Sequence, residues 1–193
     1  IASGKSTVAA ALGLELRRTG RRVAVLDLDD VVDTIGGFAD LAPEDFHRTQ
    51  VVFGQLVRSW LDQGVDVIAH GPFVSAEEDD TLVHALPDGI EPRRVLLTTT
   101  FAVALERVTA DPDRLLAHHP EALEALHGRF EELLPAIRPS EWTFDTTVLG
   151  ADQIVRQLAI LEAIARRAMR IGGSLFTVEA RNDLLGQLDL DIA

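Results

Sequence analysis

The chain has 193 residues, which suffices for one domain with a full hydrophobic core. Its formal net charge of −13 argues against a binder of nucleic acid or anionic membranes, because both need a basic surface. The absence of Cys excludes disulfides and Cys-ligated zinc, and no apolar run approaches the ~20 residues of a membrane-spanning helix.

Short apolar runs alternate along the chain with longer segments in which apolar residues recur every three to four positions. These longer segments predict helices over residues 5–19, 42–63, 75–86, 101–108, 120–134 and 151–169. The short runs predict strands over residues 23–26, 65–69, 95–97 and 142–148. The alternation predicts an α/β fold in which a parallel sheet lies between layers of helices. We expect one domain over residues 1–170 and a peripheral acidic tail over residues 171–193.

The first predicted helix begins with Gly4-Lys5-Ser6-Thr7, the second half of the phosphate-binding pattern G-x-x-x-x-G-K-[ST]. Gly4 allows successive backbone N–H groups to face phosphate oxygens, and the helix N-terminus adds positive partial charge. Lys5, the only Lys of the chain, offers a compact ammonium group to the β- and γ-phosphates, and the Ser6 hydroxyl can bind Mg²⁺. We therefore predict that ATP with Mg²⁺ is bound by Ala2, Ser3, Gly4, Lys5, Ser6 and Thr7.

The first Gly of this pattern would fall two positions before Ile1. A loop of this kind follows a strand that is buried on both faces, and burying such a strand stabilises a domain by roughly 10 kcal/mol. We expect either that the central strand lies outside this chain, in about ten or more further N-terminal residues, or that this chain folds poorly by itself.

Two carboxylates, Asp27 and Asp29, follow the strand at residues 23–26, at the edge where open α/β sheets bind ligands. In extended geometry their side chains would point the same way. We predict that Asp27 holds Mg²⁺ and that Asp29 anchors or deprotonates an acceptor hydroxyl, while Asp30 caps the next segment. A solvated acidic turn is the alternative.

The phosphate loop, the helix that ends at Gly20 and the strand that leads to Asp29 resemble the P-loop small-molecule kinases, namely shikimate, gluconate and adenylylsulfate kinases. The pattern Leu26-Asp27-Leu28-Asp29 is most similar to adenylylsulfate kinase, and His70-Gly71-Pro72-Phe73 resembles the substrate loop of that family. The resemblance implies a three-layer α/β/α P-loop NTPase fold with strand order 2-3-1-4-5, strand 1 being the one outside the chain. It also implies a lid over residues 107–129 and a cytoplasmic location.

The same resemblance implies roles for further residues. Phosphoryl transfer needs cations close to the negatively charged group that is transferred, and Arg114 is the first candidate for this role. Arg107 and Arg129 are weaker candidates. Thr146 and Thr147 lie where the last strand of the family leads to the adenine pocket. Gly71, Pro72 and Phe73 would contact the acceptor, between Asp29 and residues 33–39. For His70, substrate contact and a role in the core remain open.

Together these patterns predict an ATP- and Mg²⁺-dependent phosphotransferase that acts on a hydroxyl of a small metabolite. The motif N-K-x-D, with which the usual GTPases recognise guanine, cannot occur because the only Lys of the chain is Lys5. This excludes the usual GTPases. Two alternatives remain: a nucleotide-binding switch that hydrolyses ATP slowly and signals to a protein partner, and an inactive nucleotide-binding paralogue. The oligomeric state is not predicted.

Overall fold

The structure is a computed structural model that describes residues 2–38, 41–73, 75–111, 119–136, 140 and 142–171, without the side chains of residues 136 and 162–171. Its helices and strands alternate along the chain as the apolar pattern predicts. In chain order they are α1 Lys5–Arg18, β1 Val23–Asp27, α2 Leu28–Asp33, α3 Pro43–Asp62, β2 Asp66–His70, α4 Ala76–Ala85, β3 Val95–Thr98, α5 Phe101–Thr109, α6 Pro120–Leu133, a 3₁₀ turn Leu134–Ala136, β4 Trp142–Asp145 and α7 Ala151–Ile171.

The chain divides into two compact units, residues 1–155 and residues 156–193. The first unit contains the four strands of the described part and all the described candidate site residues. In the second unit the described residues, 156–171, continue α7. The predicted tail at residues 172–193 lies outside the described residues. Within the described part, no helix is both long and apolar enough to cross a membrane.

The strands form two parallel pairs, which confirms the predicted α/β class. Strands β1 and β2 pair so that Asp27 lies opposite His70, and β3 and β4 pair so that Thr98 lies opposite Asp145. In the described residues the two pairs form two two-stranded sheets. In the family order 2-3-1-4-5, which the resemblance implies, β1 and β2 would correspond to strands 2 and 3, and β3 and β4 to strands 4 and 5.

The predicted end of the last strand at residue 148 is wrong, because β4 stops at Asp145. The backbone N–H of Thr147 donates to the Asp145 carboxylate at 2.8 Å, which turns the chain out of the sheet. Hydrogen bonds from the Thr147 side chain and backbone lower the pKa of Asp145.

A buried apolar cluster joins α2 to α3 and positions the end of β1. Leu28 and Val32 of α2 pack with Phe53 and Val57 of α3, and the ring of Phe73 lies 6.1 Å from that of Phe53. Burial of such side chains is worth ~1.5–3 kcal/mol each. The short helix α2 therefore has a fixed position, and so does the backbone of the residues in its first turn.

Candidate functional site

The N-terminal end of α1 has the backbone geometry of an anion site. Gly4 precedes the helix in the left-handed region at φ 80°, ψ 20°, and Ala2 is also left-handed at φ 51°. A non-glycine residue in this region costs about 1–3 kcal/mol, and such strain concentrates at ligand sites. No side chain caps the helix and no acidic residue lies in its first turn, so its positive end remains available to a ligand.

Lys5 opens this helix and has no hydrogen bond or ion pair within the described part of the chain. Its ammonium group lies close enough to Asp29 to lower the pKa of that carboxyl against the effect of burial. A cation at a helix N-terminus opposes the helix dipole, so α1 gains no stability from Lys5. Apart from this attraction to Asp29, Lys5 has no partner among the described residues, and its charge is available to an anion.

Ser6 and Asp27 meet at the carboxyl end of β1. The Ser6 hydroxyl donates to the Asp27 carboxylate, with 3.3 Å between Oγ and Oδ2. One hydroxyl and one carboxylate are ligands of the type that Mg²⁺ uses when phosphate oxygens and water complete its shell. Within the described residues, no cluster of three or more His, Asp or Glu side chains forms a metal site by itself. The pair therefore fits a metal ion that arrives with a phosphate ligand.

The prediction that Asp27 and Asp29 lie in one extended strand is wrong. The strand ends at Asp27, and the carboxylate of Asp27 accepts the backbone N–H of Asp29 at 3.0 Å as the N-cap of α2. Asp is among the residues that favour the N-cap position. The N-cap of α2 is therefore Asp27, and the cap predicted at Asp30 is wrong. Asp29 consequently projects from the first turn of a helix, and Asp30 is exposed.

Asp29 is a partly buried carboxylate for which the described residues provide no hydrogen-bond donor. Its Oδ1 atom is inaccessible to solvent and unpaired within the described structure. Burial is the main cause that raises the pKa of Asp29, and the negative charge of Asp27 raises it further, while Lys5 and His70 act in the opposite direction. A buried acceptor atom without a donor costs free energy. The residue as a whole is only partly buried, so its carboxylate can still accept a hydrogen bond from a bound hydroxyl.

His70 ends β2 directly opposite Asp27. Its Nδ1 atom lies 3.3 Å from Asp27 Oδ2, but the geometry is not that of a hydrogen bond, and Nδ1 has no hydrogen-bond partner in the described structure. The sequence leaves its role open, whereas the structure places it against the carboxylate that also contacts Ser6. The parallel register of β1 and β2 is what brings these residues together.

In the segment after β2, Gly71 and Phe73 pack against the core. A Cβ atom on Gly71 would lie 2.7 Å from Leu28 Cβ, so only Gly allows α2 to approach this closely. Phe73 contacts Phe53 of the core cluster, and Pro72 is partly exposed. The three residues predicted to contact the acceptor thus lie beside α2. Gly71 packs against Leu28 of this helix, and Phe73 packs against the core cluster to which the helix belongs.

Arg107 of α5 ties the phosphate loop to the end of β4. Its guanidinium donates to the carbonyl of Ala2 at 3.1 Å, to the hydroxyl of Thr146 at 2.9 Å and to the carbonyl of Thr146 at 2.7 Å. The Thr146 hydroxyl in turn donates to the carbonyl of Thr98. The guanidinium of Arg107 is therefore bound to the phosphate loop and to Thr146, and it is not available as a lid cation that contacts the transferred phosphoryl group. Thr146 has its hydroxyl fully engaged with protein groups.

Among the other predicted residues of this region, Arg129 and Thr147 are described, and they are not part of these contacts. Arg114 lies outside the described residues, as does most of the loop before α6. Arg129 is exposed on α6. The hydroxyl of Thr147 accepts the backbone N–H of Thr100 at 2.9 Å, which connects the loops that follow β3 and β4.

Replacing Arg107 by Ala is expected to lower the free energy of unfolding by roughly 1.5–3 kcal/mol and to weaken ATP binding. The reason is that the carbonyls of Ala2 and Thr146 lose a charged donor and the phosphate loop loses its tether. Urea unfolding and calorimetry with ATP and Mg²⁺ measure the two effects, and Arg129→Ala serves as an exposed control. Equal stability and equal ATP affinity of the Arg107 and Arg129 variants would contradict this role.

A cavity of about 420 Å³ lies beside the segment that follows α2. It is lined by Ile35, Gly36, Gly37, Leu41 and Asp45. The sequence predicts that the acceptor lies between this segment and Asp29. A larger groove of about 740 Å³ runs between α3 and α4, and none of its lining residues belongs to the phosphate loop or to a strand end.

The comparisons with known proteins give structural matches only. No protein-family model and no curated protein matches the chain. The structure of an APS kinase from Mycobacterium tuberculosis in complex with AMPPNP and APS matches with a TM-score of 0.62 and 22% identity, over 83% of this chain and 91% of that one. A shikimate kinase from Acinetobacter baumannii in complex with shikimate matches with a TM-score of 0.55 and 19% identity, over 86% of this chain and 89% of that one.

A third match is a sugar kinase from Janibacter sp. HTCC2649, with a TM-score of 0.60 and 19% identity, over 84% of this chain and 90% of that one. All three are kinases of small molecules, as the resemblance of the phosphate loop and of the Asp27 region predicts. The chain therefore shares the α/β fold of the P-loop small-molecule kinases.

Proposed function

We propose that the protein is an ATP- and Mg²⁺-dependent phosphotransferase that transfers the γ-phosphoryl group to a hydroxyl of a small metabolite. The observation that carries this proposal is the convergence of three groups at the carboxyl end of β1. They are the uncapped N-terminus of α1, the Ser6–Asp27 pair and the unpartnered carboxylate of Asp29. The fold shared with kinases that contain AMPPNP, APS or shikimate supports it.

The phosphate loop would bind the donor nucleotide through backbone and side-chain groups. The N–H groups of residues 2–7 and the ammonium of Lys5 would bind phosphate oxygens, and Thr146 would act through the Arg107 contact that fixes the loop. Ser6 and Asp27 would hold Mg²⁺, which when bound neutralises charge on the phosphoryl oxygens.

Asp29 would act on the acceptor. Its partly buried carboxylate would accept a hydrogen bond from the acceptor hydroxyl and then its proton, while the acceptor oxygen forms a bond to the γ-phosphorus. The bond from that phosphorus to the bridging oxygen breaks, and ADP leaves. Pro72, beside Gly71 and Phe73, would line the acceptor, and Arg114 would place a further cation on the transferred group.

A coupled assay of ADP release tests the proposal against the switch and the inactive paralogue. With ATP and Mg²⁺ present, we expect a hydroxylated acceptor to raise ADP release at least tenfold above hydrolysis by water, and phosphorus NMR to detect a phosphate monoester. An exposed variant far from the site, Ser59→Ala, should behave like the wild type. ADP release that no compound stimulates would favour a switch, and absence of ATP binding would refute the proposal.

A further inference from the structure

His70 and Asp27 face each other at the carboxyl ends of two paired strands. They are the last residues of β2 and β1 and are direct partners in the parallel register, so their side chains lie on the same face of the sheet. Little of either side chain is exposed, 11% for His70 and 19% for Asp27, and His70 Nδ1 lies 3.3 Å from Asp27 Oδ2. A ring nitrogen that can donate and a carboxylate that can accept are therefore already in contact.

The backbone on both sides of this contact is held in place. The Oδ1 atom of Asp27 accepts the backbone N–H of Asp29 as the N-cap of α2. The residue after His70 is Gly71, which lies so close to α2 that an added Cβ would be 2.7 Å from Leu28 Cβ. Both strand ends are therefore fixed against the same helix, and the imidazole stays beside the carboxylate.

The buried nitrogen of His70 has no use in the site as described so far. Nδ1 is inaccessible to solvent and has no hydrogen-bond partner in the described structure. A buried N–H group without an acceptor costs free energy, and a substrate cannot reach an atom that is inaccessible. The carboxylate oxygen in contact with it, Oδ2 of Asp27, can accept from Nδ1 after a rotation of the ring, because a carboxylate oxygen accepts more than one hydrogen bond.

The same oxygen of Asp27 leads to the phosphate loop. Oδ2 accepts the hydroxyl of Ser6, with 3.3 Å between the two oxygens, and Ser6 lies in the first turn of α1. A donor from His70 would hold Oδ2 in the orientation that receives the Ser6 hydrogen. The oxygen of Ser6 then keeps its lone pairs free for a metal ion.

Building on the proposed function, we propose that His70 is a positioning residue of the Mg²⁺ site. Its Nδ1–H group donates to Asp27 Oδ2 and keeps the Asp27 carboxylate and the Ser6 hydroxyl in the arrangement that receives a metal ion together with its nucleotide. His70 itself contacts neither the metal ion nor the acceptor. Loss of a hydrogen bond to a metal-binding group weakens metal binding by about 10- to 100-fold. The role of His70 is therefore measured in Mg²⁺ affinity and not in the binding of ATP alone.

Three substitutions separate this role from a merely structural one. In Asn the amide nitrogen is bonded to Cγ, as Nδ1 is in His, whereas in Gln it is bonded to the next carbon, as Nε2 is in His. His70→Asn therefore keeps a donor near the position of Nδ1, and His70→Gln moves the donor away from it. His70→Leu removes the donor and keeps an apolar side chain in the space of the ring. His47→Leu, at an exposed His of α3, is the control.

Calorimetry measures the affinity for ATP with Mg²⁺ and with EDTA, all at one pH, and coupled ADP release gives the Mg²⁺ concentration at half-maximal rate. In His70→Leu and His70→Gln, we expect the strengthening of ATP binding by Mg²⁺ to fall by about 10- to 100-fold, with the affinity for ATP in EDTA unchanged. The half-maximal Mg²⁺ concentration should rise by a similar factor, while kcat at saturating Mg²⁺ is retained. His70→Asn and His47→Leu should remain close to the wild type.

A double variant tests whether His70 acts through Asp27. On the background of Asp27→Ala, His70→Leu should cause no further loss of Mg²⁺ affinity, because the group that it positions is gone. A further loss on that background would overturn the positioning role. So would wild-type Mg²⁺ dependence in both His70→Leu and His70→Gln, or equal losses in His70→Asn and His70→Gln.

The same measurements keep this proposal apart from the proposed function. If the His70 variants follow the expected order and no hydroxylated compound raises ADP release, the positioning role stands and the kinase proposal is wrong. If Mg²⁺ does not strengthen ATP binding in the wild type, the positioning role alone is wrong. If the wild type does not bind ATP under either condition, both are wrong.

Discussion

Replacing Asp29 by Asn is expected to reduce phosphoryl transfer roughly 10²–10⁴-fold while ATP and Mg²⁺ still bind. The amide of Asn can orient a hydroxyl but cannot take its proton, and the nucleotide groups of Lys5, Ser6 and Asp27 are untouched. Single-turnover transfer measures the first effect and calorimetry the second. Asp30→Asn, one position along the same helix and exposed, is the matched control. Full activity of the Asp29 variant would remove Asp29 from the chemistry.

The same substitution should stabilise the fold at neutral pH. Burial raises the pKa of Asp29 in the folded protein, so the folded state prefers the protonated carboxyl. Below the ordinary pKa of a carboxyl, Asp29 is protonated in both states and costs nothing. As the pH rises from the ordinary pKa of an Asp carboxyl to the raised pKa, the unfolded state releases its proton first, so the folded wild type loses stability relative to the Asn variant. Above the raised pKa the loss is complete. A gain in stability appears as a higher Tm, at about 2–4 °C per kcal/mol for a chain of this size.

Thermal unfolding from about pH 2.5, below the ordinary pKa of an Asp carboxyl, to pH 8 measures this difference, with Asp30→Asn again as the control. The expected result is a gap between variant and wild type that is absent in acid and grows towards neutral pH. A gap that stays constant with pH would show that the gain has another cause than the charge of Asp29. Together with the kinetic result, the pH dependence of the difference in Tm would separate the chemical role of the Asp29 carboxylate from its cost in stability.

Replacing Lys5 by Ala is expected to cost roughly 2.7–4 kcal/mol of transition-state stabilisation, a fall in kcat of about 10²–10³-fold, if its ammonium acts like a preorganised donor on the transferred group. Lys5→Arg should restore little of it, because a planar guanidinium does not replace a compact ammonium in a loop that encloses phosphate. The coupled assay with a saturating acceptor measures kcat for both variants. Unchanged turnover in Lys5→Ala would exclude Lys5 from the mechanism.

The Lys5 variant should fold normally, which keeps the kinetic result interpretable. Lys5 has no ion pair or hydrogen bond within the described residues, and its charge opposes the dipole of α1. Replacing Lys5 removes both its attraction to Asp29 and its opposition to the helix dipole, which act in opposite directions. Circular dichroism and urea unfolding should therefore show a stability close to that of the wild type. A loss of more than about 1 kcal/mol would indicate a structural role that the geometry does not show.

Local patterns in the sequence determined the elements of this fold and the presence of a phosphate loop. The helix that starts at Lys5 and the strand that starts at Val23 both follow from apolar spacing, and the Gly4-Lys5-Ser6 turn follows from the residue types that phosphate binding needs. These features depend on neighbours within a few positions, which the sequence displays directly. The parallel pairing of the strands follows from the helices between them.

Only the tertiary structure decided how the side chains of the site are used. Asp27 caps a helix that apolar spacing does not reveal, because a six-residue helix has too few turns for a period. Arg107 reaches Ala2 across 105 positions and Thr146 across 39, and His70 meets Asp27 through strand register. Such contacts depend on the packing of distant segments, and no local pattern encodes the distance between two atoms that the fold alone brings together.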